Sequence, residues 1–308
     1  MESIFDIQKR IKSVSNTQQI TKAMEVVSAT KMRKSQELAL NAREYAFTAF
    51  ELLANVSKFD KDKKGGVKMP ELFLTNDSKK KLLLVVTSDK SLAGSLNSNV
   101  VKKAYKYYQD NPNLDLVVVG KKARDFFAHR GVTAKKVFIG HGDFVDFDQV
   151  KELVDYLKEG FLDKSYCGVV AVYTNFISTL KQEPVTRELL PLSEISLIEM
   201  VSGLSPERGR YADKRRVELG EDEYLFEPSR QEVLNQLVSR LFQMEIYHIT
   251  LEANASEHSA RMVAMKTASE NAQDLVDDLT LEFNKRRQAK ITQEIMEITS
   301  GSDAISNQ

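Results

Sequence analysis

Cysteine occurs once, tryptophan not at all, and glycine and proline number only 13 and 6 in 308 residues. The lone Cys167 excludes an internal disulfide and any metal cage built from several cysteines. An excess of one charge is missing as well. Lys and Arg total 44 and Asp and Glu total 44, whereas a dedicated nucleic-acid binder is strongly basic, so no nucleic-acid partner is expected. Long apolar runs are absent: a spanning helix needs about eighteen residues, and the longest runs here resemble Leu82–Val86. The opening stretch Met1–Ser13 has no unbroken apolar segment, so no signal peptide is expected. What remains is a chain 42% hydrophobic and 29% charged, expected to be soluble and intracellular, with one large domain or two ordinary ones.

The few helix breakers are unevenly placed. The first glycine is Gly65 and the first proline Pro70; beyond Pro228 there is no proline, and the one glycine is Gly301. Both ends therefore predict long uninterrupted helices, over residues 3–58 and 229–300. Ser229 followed by Glu232 has the form of a capping box for the second. Its apolar seam steps by three and four from Leu234 through Leu241, His248, Leu251, His258 and Met265 to Phe283. That is the heptad pattern of a coiled coil. In the first helix the corresponding seam is Ile4, Ile7, Ile11 and Val14, then, past a polar gap, Ile20, Met24 and Val27, with Leu38 beyond. Two such helices pair most simply as an antiparallel coiled coil.

The middle of the chain has a different grain. Lys81–Thr87, Leu114–Gly120, Lys136–Gly140 and Cys167–Tyr173 are short β-branched runs, and Val185–Leu190 could add an edge strand. Helical patterns lie between them, near Leu96–Gln109, Lys121–Arg130 and Gln149–Phe161. Strand–helix alternation predicts a mainly parallel sheet with crossover helices. Residues 205–223 are charged and carry Pro206 and two glycines, which reads as a loop.

Length decides how these parts can be arranged. At 1.5 Å per residue the two terminal helices would run about 84 and 108 Å, while a compact globule of this size is roughly 50 Å across. They are expected to project, and a projecting seam needs a partner chain.

A search for catalytic chemistry finds little. There is no GxGxxG and no GxxxxGK[ST]; the turn after the first strand, Ser88–Ser95, holds one glycine, and a turn capped by Ser or Asn is the simpler reading. His248 and His258 fall on one seam with no second histidine or cysteine one helical turn away, which suits buried polar seam positions better than a metal. His141, flanked by glycines, reads as a loop residue, and Cys167 as a small hydrophobe opening a strand. No nucleophile–base pair can be nominated, and no cofactor or metal is expected. Charge is locally uneven, however. Residues 7–34 hold seven Lys or Arg against Glu25, a local +6, and Lys285, Arg286, Arg287 and Lys290 repeat the bias near the end of the last helix. In an antiparallel pair both segments would meet at the far end, favouring acidic partner surfaces.

At three places the residues themselves resemble a family. Ile20–Lys34 reads ITKAMEVVSATKMRK, Glu257–Ala272 reads EHSARMVAMKTASENA, and Asn284–Ile305 reads NKRRQAKITQEIMEITSGSDAI; Tyr224–Pro228, YLFEP, fits too. With the βαβ middle, the whole chain resembles the gamma subunit of F-type ATP synthase, the central stalk of a rotary motor. One departure is Ser88–Asn97, SDKSLAGSLN, where that family commonly has SDRGL and a glycine-rich turn.

The resemblance implies an α/β fold: a long antiparallel coiled coil of N- and C-terminal helices plus a Rossmann-like, mainly parallel α/β domain. The expected divisions are 1–60 for the first coiled-coil helix, 61–228 for the α/β domain and 229–308 for the second helix. The coiled coil would sit inside a ring of three alpha and three beta subunits, and the α/β domain would meet the epsilon subunit and the membrane c ring. Catalytic sites would belong to the beta subunits, making this chain a non-catalytic subunit, peripheral to the membrane on the cytoplasmic face of the cell inner membrane. Carried over by position, Met24 lies near the catalytic subunits' acidic lever, and Arg287, Gln288 and Thr292 match polar contacts to the ring. Glu257 and Arg261 match residues of coupling, and Tyr224 and Glu227 match the foot beside the c ring. The alternative from a different class is a Rossmann-like nucleotide-binding enzyme with helical dimerisation arms, which requires a phosphate loop; a third is a coiled-coil scaffold with no motor role.

Overall fold

The computed structural model describes residues 3–58, 68–140, 147–193 and 226–306. Its elements, in chain order, are α1 (Ile4–Lys58), β1 (Lys81–Val86), α2 (Leu96–Asp110), β2 (Leu114–Val119), α3 (Lys121–Ala128), β3 (Lys136–Phe138), α4 (Phe147–Leu162), β4 (Gly168–Ser178), β5 (Lys181–Leu190) and α5 (Arg230–Ser306). The two helices foreseen at the ends are present at 55 and 77 residues. Glu232 N donates to Ser229 Oγ at 3.2 Å, so the hydroxyl caps α5 as the sequence suggests. The loop expected over 205–223 and the loop residue His141 lie outside the described residues.

Five strands form one sheet in the order β3-β2-β1-β4-β5, parallel except for β5, which returns antiparallel along β4. The edge strand expected at Val185–Leu190 exists and begins earlier, at Lys181. Its Pro184 is tolerated because an edge residue need not donate to the ladder.

Topology explains which helix covers which face. Going from β1 to β2 to β3 the chain moves steadily one way, so right-handed crossovers put α2 and α3 on the same side. To reach β4 it must pass back across β1, and the same handedness throws α4 to the opposite face. Alternate residues then serve alternate layers. Leu83, Val85, Leu116, Val118, Val170 and Val172 pack with Val100, Ala104 and Phe127 of the α2–α3 layer. Leu82, Leu84, Val117, Val119, Val169 and Ala171 pack with Leu153 and Leu157 of α4 and with α5. Each leucine buried this way is worth about 1.5–3 kcal/mol.

By its contacts the chain separates into two compact units, Met1–Ser28 with Arg261–Gln308, and Ala29–Ala260, so both long helices contribute to each. In the larger unit every residue of α5 from Leu241 to Leu251 is buried, because Leu38, Ala39, Ala49 and Leu53 of α1 cover the side that the sheet does not. In the smaller unit Ile7, Met265, Ser269 and Leu279 are buried and Ile4, Ile11, Val14, Met262 and Val276 half-buried, the seam of the antiparallel coiled coil.

One part of the expected seam is wrong. Ile20 and Val27 are 61% and 51% exposed. The three-four stepping that places Ile4, Ile7, Ile11 and Val14 inwards continues to Gln18, Thr21, Glu25 and Ser28, and these are the half-buried or buried positions. A rigid helix cannot turn Ile20 inwards without turning Ile7 out, so geometry overrides polarity. Further along α1 the buried Met32 and Ser35 keep the same register. The buried seam positions expected for His248 and His258 are observed.

Candidate functional site

In an open α/β sheet, ligands bind beyond the carboxyl ends of the strands where the strand order reverses. Here that point lies between β1 and β4, and it is where a nucleotide would be sought. It holds a cavity of about 30 Å³ lined by Thr87, Ser88, Asp89, Gly120 and Thr174 from the sheet and by Thr250, Ala253, Asn254 and Glu257 from α5. A small-molecule site takes roughly 300–1,000 Å³; this one has room for water.

The reason is local chemistry. The first amides of α3 point at the crevice, as in an anion site at a helix N-terminus, but the chain supplies its own anion. Asp89 accepts from Lys121 N at 2.9 Å and from Gly140 N at 2.8 Å. Thr87 Oγ1 accepts from Ala123 N at 2.9 Å and donates to Val119 O at 3.1 Å. Between them Gly120 sits at φ 93°, where a Cβ would fall 2.1 Å from Thr87 O. Only glycine lets the two strand ends close together there.

The turn expected to be capped by Ser or Asn is held by both, from within. Ser88 N donates to Asn97 Oδ1, Asn97 Nδ2 to Ser88 Oγ, and Ser88 Oγ to Lys90 O, at 3.1, 2.7 and 2.7 Å. Ser95, the residue before α2, makes no capping bond with its side chain. Outside this lock the turn presents Leu92, 57% exposed and at φ 68°, a conformation that costs a bulky residue about 1–2 kcal/mol.

A second polar group is buried where α5 crosses β4 and β5. The Glu252 carboxyl is pushed up to about 7 by burial, with Arg187 and then Tyr173 pulling it down by less. Tyr173 is fully buried, its hydroxyl makes no well-formed hydrogen bond, and burial followed by the charge of Glu252 raises it strongly. His248 Nδ1 lies 3.9 Å from Glu252 Oε2, and the Arg187 guanidinium 5.9 Å from the centre of the Tyr173 ring. Among the described residues no group of three His, Cys, Asp or Glu is placed to hold a metal, and no helix is long and apolar enough to cross a membrane.

The residues singled out from the sequence are dispersed rather than gathered in one pocket. Met24 is half-buried on α1. Glu257 is buried and lines the crevice; Arg261 is buried at the start of the α5 portion of the smaller unit. Arg287, Gln288 and Thr292 are exposed on successive turns of α5, with Thr292 Oγ1 donating back to Gln288 O at 2.9 Å. Glu227 is exposed, preceding Pro228 and the start of α5; Tyr224 lies outside the described residues. Sequence reasoning missed Glu252, Arg187 and Tyr173. The one available signal was a carboxylate four residues from His248 on a helix with a buried seam.

Comparison with known proteins gives one answer across the whole chain. The family described as ATP synthase matches residues 3–305. The ATP synthase gamma chain of Pelotomaculum thermopropionicum is 40% identical over 306 residues, 99% of this chain and 100% of that one. That of Opitutus terrae is also 40% identical, over 99% of each chain. Among solved structures, a chain of the Euglena gracilis mitochondrial ATP synthase in its assembly of OSCP, F1 and c-ring superposes with a TM-score of 0.61 at 18% identity, over 98% of this chain and 94% of that one. A chain of the Tetrahymena thermophila mitochondrial ATP synthase central stalk and c-ring gives 0.57 at 23%, over 81% and 99%. Those two likenesses speak for the fold, and the closer bacterial sequences speak for the kinship. With both terminal helices, the βαβ middle and the three signature segments inside the match, this chain belongs to the ATP synthase gamma chain family.

Proposed function

We propose that the chain is the rotor of an F-type ATP synthase, a non-catalytic subunit that couples ion flow through the membrane c ring to ATP synthesis or hydrolysis on beta subunits. The carrying observation is the pairing of two helices of 55 and 77 residues with an α/β domain whose nucleotide crevice is closed by Asp89 and Gly120. A chain so built has a shaft, and its crevice at the strand ends has room for water rather than a nucleotide. In this reading residues 1–60 and 229–308 are the shaft helices and 61–228 the α/β domain. The shaft turns inside the alpha3beta3 ring, the α/β domain meets the epsilon subunit and the c ring, and the assembly lies on the cytoplasmic face of the inner membrane.

The mechanism is differential binding. A partner shifts a conformational equilibrium only by the difference in its interaction energy with the two states. Carrying a beta-subunit site from 1:99 to 99:1 takes about 5.5 kcal/mol of such difference. The shaft supplies it by presenting unlike faces as it turns: Ile20, Val26 and Val27 form an exposed apolar patch on α1, while Arg287, Gln288 and Thr292 form an exposed polar one on α5. Met24 would meet the acidic lever, the Arg287 group the ring, Glu257 and Arg261 would hold the coupling geometry, and Tyr224 and Glu227 would sit on the c ring.

Co-purification tests the whole reading. A tagged chain should bring down alpha and beta subunits with ATPase activity, and the chain alone should neither bind ATP tightly nor hydrolyse it. Saturable hydrolysis by a beta-free preparation would overturn the proposal.

A further inference from the structure

The β4–β5 hairpin is longer than the sheet requires. β4 pairs with β1 only over Gly168–Val172, while its pairing with β5 continues through Ser178. From Tyr173 outwards the hairpin is a two-stranded ribbon, which by itself is marginally stable in water. Its support comes from α5. Ser259 Oγ donates to Thr179 O at 2.7 Å, and Ser256 Oγ donates to Thr174 O at 3.4 Å. Gln182 Nε2 shares its hydrogens among Ser178 O, Thr179 O and Ser259 Oγ, at 3.0, 2.8 and 3.3 Å. Ser256 and Ser259 are both fully buried and lie three apart, on one face of the helix.

These bonds differ in kind from the apolar packing around α5, and they lie further along it than the polar bonds of Gln231 to Lys68 and of Lys158 to Ser239. Leu241, Phe242, Ile246 and Ile249 hold the helix by apolar contact, which is non-directional. A hydrogen bond weakens steeply as its angle departs from linear, and in a buried site it is stronger than in water. Bonds from one face of a helix to a ribbon beside it therefore add a directional resistance to twisting. The position matters too: Ser259 is the next-to-last residue of the larger unit, which ends at Ala260. Beyond it the helix runs on for another 47 residues to Ser306.

We propose that the β4–β5 hairpin is the collar through which torque passes between the α/β domain and α5, with Gln182 and Ser259 as its positioning residues. The proposal rests on the rotor reading. A helix twists in proportion to its length beyond an anchor, so the anchor nearest Ala260 contributes to how stiffly α5 follows the α/β domain. Releasing Ser259 lengthens the free segment and softens the drive without touching any catalytic group.

The test uses the intact enzyme, immobilised through its alpha and beta subunits, with a bead fixed to the α/β domain. The variants are Ser259→Ala, Gln182→Met (similar length, no donor) and the double substitution, with Lys181→Ala as a control whose exposed side chain pairs with exposed Glu183. During a catalytic pause, the variance of the bead's angular fluctuation should rise about twofold in the double variant and stay at the parent's value in Lys181→Ala. ATP-driven ion pumping per ATP hydrolysed should fall in step. A role in stability alone would lower the melting temperature and leave the angular variance of assembled complexes unchanged, and that result overturns the collar. So does an equal broadening in Lys181→Ala. If the double variant fails to assemble, Ser259→Ala carries the comparison by itself. A parent complex that never rotates would sink the rotor reading and the collar with it, whereas a rotating parent with stiff variants sinks the collar alone.

Discussion

The carboxylate of Asp89 stands 2.9 Å from the amide nitrogen of Lys121, the first residue of α3. A helix N-terminus beside the end of a parallel strand is where nucleotide-binding sheets receive phosphate. In this chain the position is taken by a side chain five residues upstream of Gly94 in the same turn, and the crevice is lined by the strand ends and by Thr250, Ala253, Asn254 and Glu257 of α5.

Removing that carboxylate should therefore weaken the fold rather than open a site. Asp89→Ala leaves Lys121 N and Gly140 N without their acceptor, a loss of about 1–3 kcal/mol. Urea unfolding of the purified chain would show it as a lower midpoint with unchanged slope. Tight ATP binding by the variant, measured by calorimetry, would contradict the account of a filled crevice.

Glu252 makes the stability depend on pH in a definite sense. Its pKa is raised in the fold, from 4.5 to about 7, so its contribution is fully present below pH 4.5 and is lost as pH rises through 7. The total is on the order of 3 kcal/mol. Between pH 5 and pH 8 the parent should lose stability that Glu252→Gln does not lose. Comparing unfolding midpoints of both proteins at the two pH values checks this; parallel losses would assign the dependence to other groups.

The corrected register of α1 distinguishes two isoleucines that look alike in sequence. Ile7 is fully buried and Ile20 is 61% exposed. Ile7→Ala should cost about 2–4 kcal/mol, whereas Ile20→Ala should change the stability of the chain by no more than about 0.5 kcal/mol. Thermal melts of the two variants decide it, and equal losses would restore the seam first expected from the sequence.

The end of α5 should tolerate trimming. Ile291, Ile295 and Ile298 are all exposed, and equal counts along the antiparallel helices set Ile4 level with about residue 281, leaving about 25 residues, to the helix end at Ser306, without a helical partner, roughly 38 Å. An apolar stripe of this kind suits a bearing. Deleting residues 299–308 should leave assembly and ATP hydrolysis largely intact, while Arg287→Ala or Gln288→Ala, carrying directional polar contacts, should reduce turnover or coupling more. Hydrolysis and ATP-driven pumping measured side by side provide the comparison; a dead deletion with silent substitutions would make the tip the lever.

What the sequence by itself determined was everything that depends on near neighbours. The absence of proline after Pro228 specified α5, and the β-branched runs specified β1, β2 and β4; the stepping of Leu234, Leu241 and Leu251 marked buried positions, but the structure buries every side of the helix from Leu241 to Leu251. The terminal segments also carried the family. Tertiary structure alone decided the rest, because each remaining feature joins residues distant in the chain. Asp89 meets Gly140 across 51 positions, and Ser259 meets Thr179 across 80. The inward face of α1 between Gln18 and Ser28 is polar because a rigid helix carries one register along its length, so Ile20 lies outside however apolar it is. Burial then gave Glu252 its pKa: a carboxylate has no unusual acidity until β4 and β5 take the water away from it.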